Sequence, residues 1–299
     1  MSAAPIALFA FNRPEHTRRT VETLQANEGA RDSDLFVFCD GPRTSADDAS
    51  VAQVRDYVRG IGGFRSVTVH AHDANQGLAR SIIGGVTAVC GQHGRVIVME
   101  DDLVTSRFFL RYMNEALQFY ADDARVGSIH GYWYPVGKQM PETFFLRGAS
   151  CWGWATWSRA WQVFEPDGSK LLAQLRQQRL TSQFDLEGAI AYTRMLEDQI
   201  AGRNNSWAIR WHASTFLAGL LQLSPGTSLV QNIGFDSSGT HCDESQAYDT
   251  QLIARPVKVG GVAVEQSRAA RAALIEYYRR TRRSIPDRII RRLRRMIAT

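Results

Sequence analysis

Glu100, Asp101 and Asp102 stand together at the end of the apolar run "VIVM" (96–99). In an extended segment alternate residues point to one side, so Glu100 and Asp102 share a face and Asp101 takes the other. Adjacent carboxylates repel one another unless a cation or hydrogen bonds compensate them. A hard divalent ion is the simplest compensation. Mg2+ or Mn2+ favours carboxylate oxygen, often from only one or two side chains, and keeps water or phosphate oxygens elsewhere. The plainer alternative is a solvated loop in which one carboxylate caps the helix beginning near Ser106.

Three other polar stretches carry groups of the same chemistry: "NRPEH" (12–16), "CDGP" (39–42) and "DANQGLARS" (73–81). Arg13, with Pro14 opening a helix behind it, can reach toward a nucleotide or phosphate; a surface Arg is the alternative. Asp40 can accept the N3 hydrogen of a uracil or simply form the turn before Gly41. Arg80 lies one turn into a helix that follows the turn Asn75-Gln76-Gly77, so a helix N-terminus and a cation can both face a diphosphate. Helix capping beside a solvated Arg competes with that reading.

The elements that must position these groups follow from hydrophobic patterning. "IALFAF" (6–11), "LFVFC" (35–39), "SVTVHAH" (66–72) and "RVIVM" (95–99) read as strands covered on both faces. Helix-like stretches at about 15–27, 47–59 and 78–90 alternate with them, which predicts a parallel sheet with right-handed crossovers. Ligands of such sheets bind beyond the carboxyl ends of the strands, where all four polar stretches fall.

After about residue 125 the rhythm changes. All seven Trp lie between 130 and 216. "CWGWATWSRAW" (151–161) puts Trp154, Trp157 and Trp161 on one helical face, while Trp152 and Gly153 ahead of it suit a loop that packs an aromatic plane on a sugar. "FDLEGAIAYTRMLEDQI" (184–200) reads as one helical run. "NIGFDSSGTHC" (232–242) reads as a loop holding Asp236 and His241.

With these motifs in order, the chain resembles a GT-A-type glycosyltransferase. The acidic triplet followed by "LVTSRFFLRYMNEAL" is similar to the N-acetylglucosaminyltransferase I family, and "NQGLARS" to the large inverting family-2 group. The resemblance covers about residues 5–245 and implies an α/β GT-A fold, Rossmann-like, with a mostly parallel sheet and flanking helices. It implies inverting transfer of a sugar from a nucleotide diphosphate, commonly a UDP-sugar, with Mn2+ or Mg2+. In its terms Asp102 coordinates the metal, Asp101 lies near the ribose, Glu100 supports them, and His241 closes the site as a second metal ligand. Arg13, Asp40, Arg80, Trp152 and Gly153 complete the donor side. The family's base is an Asp before a Trp; "RNNSWAIRW" (203–211) has Asn205 at that place. Asp198 is the nearest substitute, with Glu197, Glu187 and Asp236 behind it. Nucleotidyl transfer shares the sheet and the acids but brings a Gly-rich, Lys-bearing loop after its first strand, which "NRPEH" is not. A non-catalytic nucleotide-sugar or glycan binder is the third class.

Bulk composition agrees with a globular enzyme. The 299 residues are 44% hydrophobic, and no apolar run approaches the ~20 residues of a membrane crossing. The chain start lacks the pattern of a secretion signal, which points to the cytoplasm. Cys39, Cys90, Cys151 and Cys242 form no C-x-x-C pair, so reduced thiols are expected. Residues 268–299 hold eleven Arg against Glu276 and Asp287, a net of +9, and the rest of the chain carries −4. The division expected is 1–125 for the nucleotide sugar, 126–265 for acceptor and catalysis within the same domain, and 266–299 as a basic helical tail. In that tail Ile285, Ile289, Leu293 and Met296 recur at helical intervals beside Arg288, Arg291, Arg292, Arg294 and Arg295. Such a helix can lie on an anionic bilayer or dock on the chain's own acidic body, and no motif for nucleic acid accompanies it. A peripheral enzyme on the inner face of the plasma membrane, acting on a glycan or lipid-linked acceptor in surface polysaccharide synthesis, fits these parts.

Overall fold

The computed structural model describes residues 2–236 and 246–281. Four strands alternate with three helices in its first part: β1 (Ile6–Ala10), α1 (Pro14–Gln25), β2 (Asp34–Cys39), α2 (Asp48–Arg59), β3 (Ser66–Ala71), α3 (Leu78–His93) and β4 (Arg95–Glu100). Their pairings are all parallel, in the order β3-β2-β1-β4. β1 is buried along its whole length, as its unbroken apolar sequence requires. β3 departs from expectation. It is the edge strand and is largely exposed, with only Val67 and Val69 turned toward the core.

The chain then makes β5 (Leu103–Thr105), α4 (Phe109–Phe119), β6 (Val126–His130), β7 (Thr143–Arg147) and β8 (Trp154–Trp157). Helices α5 (Ser158–Trp161), α6 (Gly168–Gln177), α7 (Thr181–Phe184), α8 (Tyr192–Ile200) and α9 (Trp207–Leu217) follow, then β9 (Leu221–Pro225), β10 (Val230–Asn232) and α10 (Arg268–Thr281). The main sheet continues from β4 as β8-β6-β9-β7, with β8 and β7 antiparallel to their neighbours. β5 and β10 form a separate two-stranded ribbon. The α/β architecture read from the sequence is present, with a parallel first half and a mixed second half.

Two expected helices are corrected. Trp154 and Trp157 lie on β8, and only Ser158–Trp161 is helical. A spacing of three along a strand turns two side chains to opposite faces, so Trp154 packs with Trp161, Trp207 and Trp211 under α3, while Trp157 joins the core on the other face. The run 184–200 breaks because Leu186, Glu187 and Gly188 all take positive φ (49°, 51° and 75°), and a right-handed helix cannot pass through such residues.

One hydrophobic core crosses the expected boundary near 125, joining Ile6, Leu8 and Val37 to Ile129, Leu223 and Val257. α10 buries Ala270, Ala273, Leu274, Tyr277 and Tyr278 against Trp133, Phe144 and Leu146. Residues 268–281 of the expected tail are thus a docked helix, and the amphipathic stretch 285–296 lies outside the described residues. Among the described residues no helix is long and apolar enough to cross a membrane.

Candidate active site

α1 starts directly behind β1, with Pro14 at its first position, where a missing N–H costs nothing. This fixes Arg13 at the helix entrance and turns His16, one turn on, to the same side. β4 ends at Glu100, and the chain turns at Asp101 and Asp102 before β5. The alternation expected through the triplet therefore stops, and Asp101 and Asp102 reach the same cation. Arg13 Nη2 bonds the Asp101 carboxylate and lies 2.9 Å from Asp102 Oδ2. Asp101 also accepts from the Phe11 N–H at 3.2 Å, and its carbonyl accepts from Thr20 at 2.9 Å.

Burial acts against both charges. It lifts the Asp101 carboxyl above its usual range, and it would lower the Arg13 guanidinium had Asp101 and Asp102 not raised it. Burial, with Asp102 and Asp101 adding to it, pushes Glu100 up to about 8. A guanidinium between the two Asp residues, with the Glu100 carboxyl raised beside them, relieves the crowding that the sequence poses.

The segment after β10 covers this site. The Ile233 N–H donates to the Asp102 carbonyl at 2.8 Å, His16 Nε2 lies 3.3 Å from the Ile233 carbonyl and 3.1 Å from Asp236. A Cβ on Gly234 would lie 2.3 Å from Asp102 Oδ2 and 3.0 Å from Arg13 Nη1, so a side chain there would displace the ends of both residues. His16 and Gly234 were not singled out from the sequence. The signal for His16 was its three-residue spacing from Arg13; Gly234 had none, because its constraint is a tertiary contact.

Asp40, buried at the end of β2, accepts from the N–H groups of Gly41 (2.9 Å), Gln76 (2.7 Å) and Gly77 (2.8 Å). Asn75 clamps the same turn through the Gly41 carbonyl at 2.8 Å. A Cβ on Gly41 would meet the Ala74 backbone at 2.5 Å. Asp40 thus fixes the turn that opens α3, and a uracil would have to share its oxygens. Arg80 is exposed on the first turn of α3 and donates to Gln76 at 3.2 Å.

The remaining expected residues are dispersed. Trp152 packs nearly perpendicular to Tyr132, Phe235 and Tyr248, with ring centroids 4.8–5.5 Å away, so it is held inside an aromatic cluster. Gly153 takes φ +64°, and a Cβ there would also meet Val230 Cγ2 at 2.7 Å. Asp198 sits on α8 in ion pairs with Arg194 and Arg203, and Glu197 pairs with Arg176 and Arg194. Asn205 is exposed just ahead of the cap of α9. His241 lies outside the described residues.

The resemblance implies a divalent ion, and the residues fit it poorly. Asp102 is engaged by Arg13, Gly234 lies over its other approach, and among the described residues no three His, Cys, Asp or Glu side chains converge. The cation that neutralises the turn is a guanidinium.

No family model matches this chain, and no curated protein matches it by sequence. Among solved structures it is similar to the mannosyltransferase PcManGT from Pyrobaculum calidifontis in complex with GDP-Man and Mn2+, at 12% identity and a TM-score of 0.34 over 46% of this chain and 37% of that one. It is also similar to S. aureus TarS 1-349, at 9% identity and a TM-score of 0.36 over 59% and 49%, and to the same protein in complex with UDP-GlcNAc, at 10% identity and 0.30 over 46% and 37%. The chain spans less than half the length of each of these structures. TM-scores this low do not define a family.

Proposed function

We propose that the chain is a GT-A-type inverting glycosyltransferase that moves a sugar from a nucleotide diphosphate, in the first instance a UDP-sugar, to a glycan or lipid-linked acceptor in surface polysaccharide synthesis. One observation carries this reading. In the order β3-β2-β1-β4 the direction of winding reverses between β1 and β4, and the crevice beyond those two strand ends is where open α/β sheets take ligands. Arg13 follows β1 and the acidic turn follows β4, so the charged cluster stands at that crevice. The Asp40-pinned turn and the N-terminus of α3 flank it from β2.

In such a transfer the anomeric C–O bond breaks through an oxocarbenium-like state and negative charge grows on the leaving diphosphate. The N–H groups opening α3, with Arg80 one turn in, would stabilise that charge more in the transition state than in the ground state. Asp102 and His241 are the residues the resemblance implies for a divalent ion, and Arg13 would have to release Asp102 for one to bind. For the acceptor's proton, Asp236 beside His16 is preferred to Asp198, whose carboxylate is spent on surface ion pairs. Thermal melts against a panel of nucleotide sugars, with and without Mn2+, test the reading. The melting point should climb with the logarithm of ligand concentration, and the donor should be hydrolysed slowly; a panel that shifts nothing and is not cleaved ends the proposal.

A second reading is kept alive by Asn205 and by the surface pairing of Asp198. It is a nucleotide-sugar or glycan binder without turnover, which would show the same thermal shift and no cleavage with any acceptor. Release of pyrophosphate would instead indicate nucleotidyl transfer.

A further inference from the structure

Asp101 and Asp102 turn their carboxylates to one nitrogen, Arg13 Nη2, which bonds Asp101 and lies 2.9 Å from Asp102 Oδ2. A metal bridging the two acids would have to stand where that nitrogen stands. A divalent ion on Asp102 alone would share its carboxylate with a guanidinium, and like charges so close repel. Mg2+ also demands near-octahedral room and gives up water reluctantly. Gly234 comes so near that a Cβ on it would lie 2.3 Å from Asp102 Oδ2 and 3.0 Å from Arg13 Nη1. The misfit with a divalent ion is thus built from this chain's own groups.

The frame around the cluster is fixed, which leaves the Arg13 side chain as the part that can move. Pro14 opens α1, and the Arg13 carbonyl accepts from the N–H and the hydroxyl of buried Thr17 at 2.9 and 2.8 Å. Asp101 is held by the Phe11 N–H and by Thr20, and the Asp102 carbonyl by the Ile233 N–H. The Arg13 side chain is 19% exposed, against 6% for Asp101 and 15% for Asp102, so the cation lies on the outer side of the cluster.

A guanidinium binds carboxylate and phosphate through the same planar fork, so a phosphate-bearing ligand competes directly with the two acids for it. We propose that Arg13 is the resident cation of the acidic turn and bars the turn to divalent ions until an anionic ligand draws the guanidinium off Asp102. In the glycosyltransferase reading that ligand is the donor's diphosphate. The bar itself does not rest on that reading.

The test is a Mn2+ titration of the full chain, followed by loss of the free-ion electron paramagnetic resonance signal and by thermal melting. Without nucleotide, Arg13→Gln should bind Mn2+ at least about tenfold more tightly than the parent, and its melting point should climb with the logarithm of Mn2+ concentration while the parent's stays in place. Adding Asp102→Asn to that variant should remove the gain, which places the ion at the turn. If Arg13→Gln does not fold by itself, its refolding in Mn2+ is the readout: a cooperative melt recovered there supports the exchange of one cation for the other, and no recovery overturns it. Tight Mn2+ binding by the parent that Asp102→Asn abolishes also overturns the proposal, as does a folded Arg13→Gln that binds Mn2+ no better than the parent. With UDP present the parent should take up Mn2+, and the two together should raise the melting point by more than the sum of each alone; a merely additive shift overturns the part given to the diphosphate. A chain that UDP leaves untouched tells against the donor site, and the titrations without nucleotide stand apart from that result.

Discussion

Arg13 is the residue on which the acidic turn depends. Removing one partner of a buried ion pair strands the other charge, at a cost of about 3–5 kcal/mol. Arg13→Gln leaves Asp101 with one backbone donor in a buried setting, so its urea midpoint should fall by several kcal/mol of stability. Asp102→Asn should cost less, about 1 kcal/mol, because Arg13 keeps Asp101 and Asp102 is the more exposed of the two. The order of the two variants is the check. Equal losses would mean that Asp101 and Asp102 share the guanidinium evenly. At the same scale the sequence pointed to Arg13, Asp101 and Asp102 through their positions after β1 and β4. It could not show that they meet each other, since two loops 88 residues apart become neighbours only when β1 and β4 pair.

At the scale of elements, β8 is the piece whose reading changed most. Its sequence has Trp at helical spacing, yet it is inserted between β4 and β6, where the two unpaired strand edges each gain a hydrogen-bonded neighbour. Local spacing lost to tertiary pairing. The consequence is measurable by double-mutant cycles with Trp→Phe substitutions. Trp154 and Trp161, with ring centroids 6.0 Å apart, should couple by about 0.5–1 kcal/mol, whereas Trp154 and Trp157, on opposite faces, should add within about 0.5 kcal/mol. A helical face would have coupled both pairs. The three crossover helices and four parallel strands were legible because each is long, periodic and bounded by Gly, Pro or Asp; the break at Leu186–Gly188 was not, because positive φ at Leu and Glu has no sequence signature.

For the whole molecule, pH acts through buried histidines. Burial lowers His130 to about 3 and His212 to about 4, so between those values and about 6.5 the unfolded chain binds protons that the folded chain does not. Their contribution is full above pH 6.5 and lost as pH falls toward 4 and then 3. Each histidine should make the chain about 2 kcal/mol less stable at pH 5 than at pH 7, while the raised Glu100 carboxyl works in the opposite sense. The check is that His130→Phe changes the difference between urea melts at the two pH values by about 2 kcal/mol. The tail gives a second test at this scale. Because α10 is docked through five buried side chains, a chain ending at Arg268 should lose its cooperative melt. A chain ending at Thr281 should keep it and sediment less with anionic vesicles, having lost seven of the eleven C-terminal Arg; equal sedimentation would remove the membrane from the reading.

By itself the sequence determined the parallel α/β half, the polar loops at its strand ends and the basic C-terminus, because hydrophobic period, helix entry and charge are local properties that each segment carries alone. Tertiary structure alone decided that a guanidinium sits between Asp101 and Asp102, that Asp40 spends its oxygens on three backbone N–H groups, and that residues as far apart in the chain as His130 and Gln222 come to line one cavity. Those outcomes depend on which strands become neighbours, and pairing over long separations is set by the burial of the whole core rather than by any one stretch of chain.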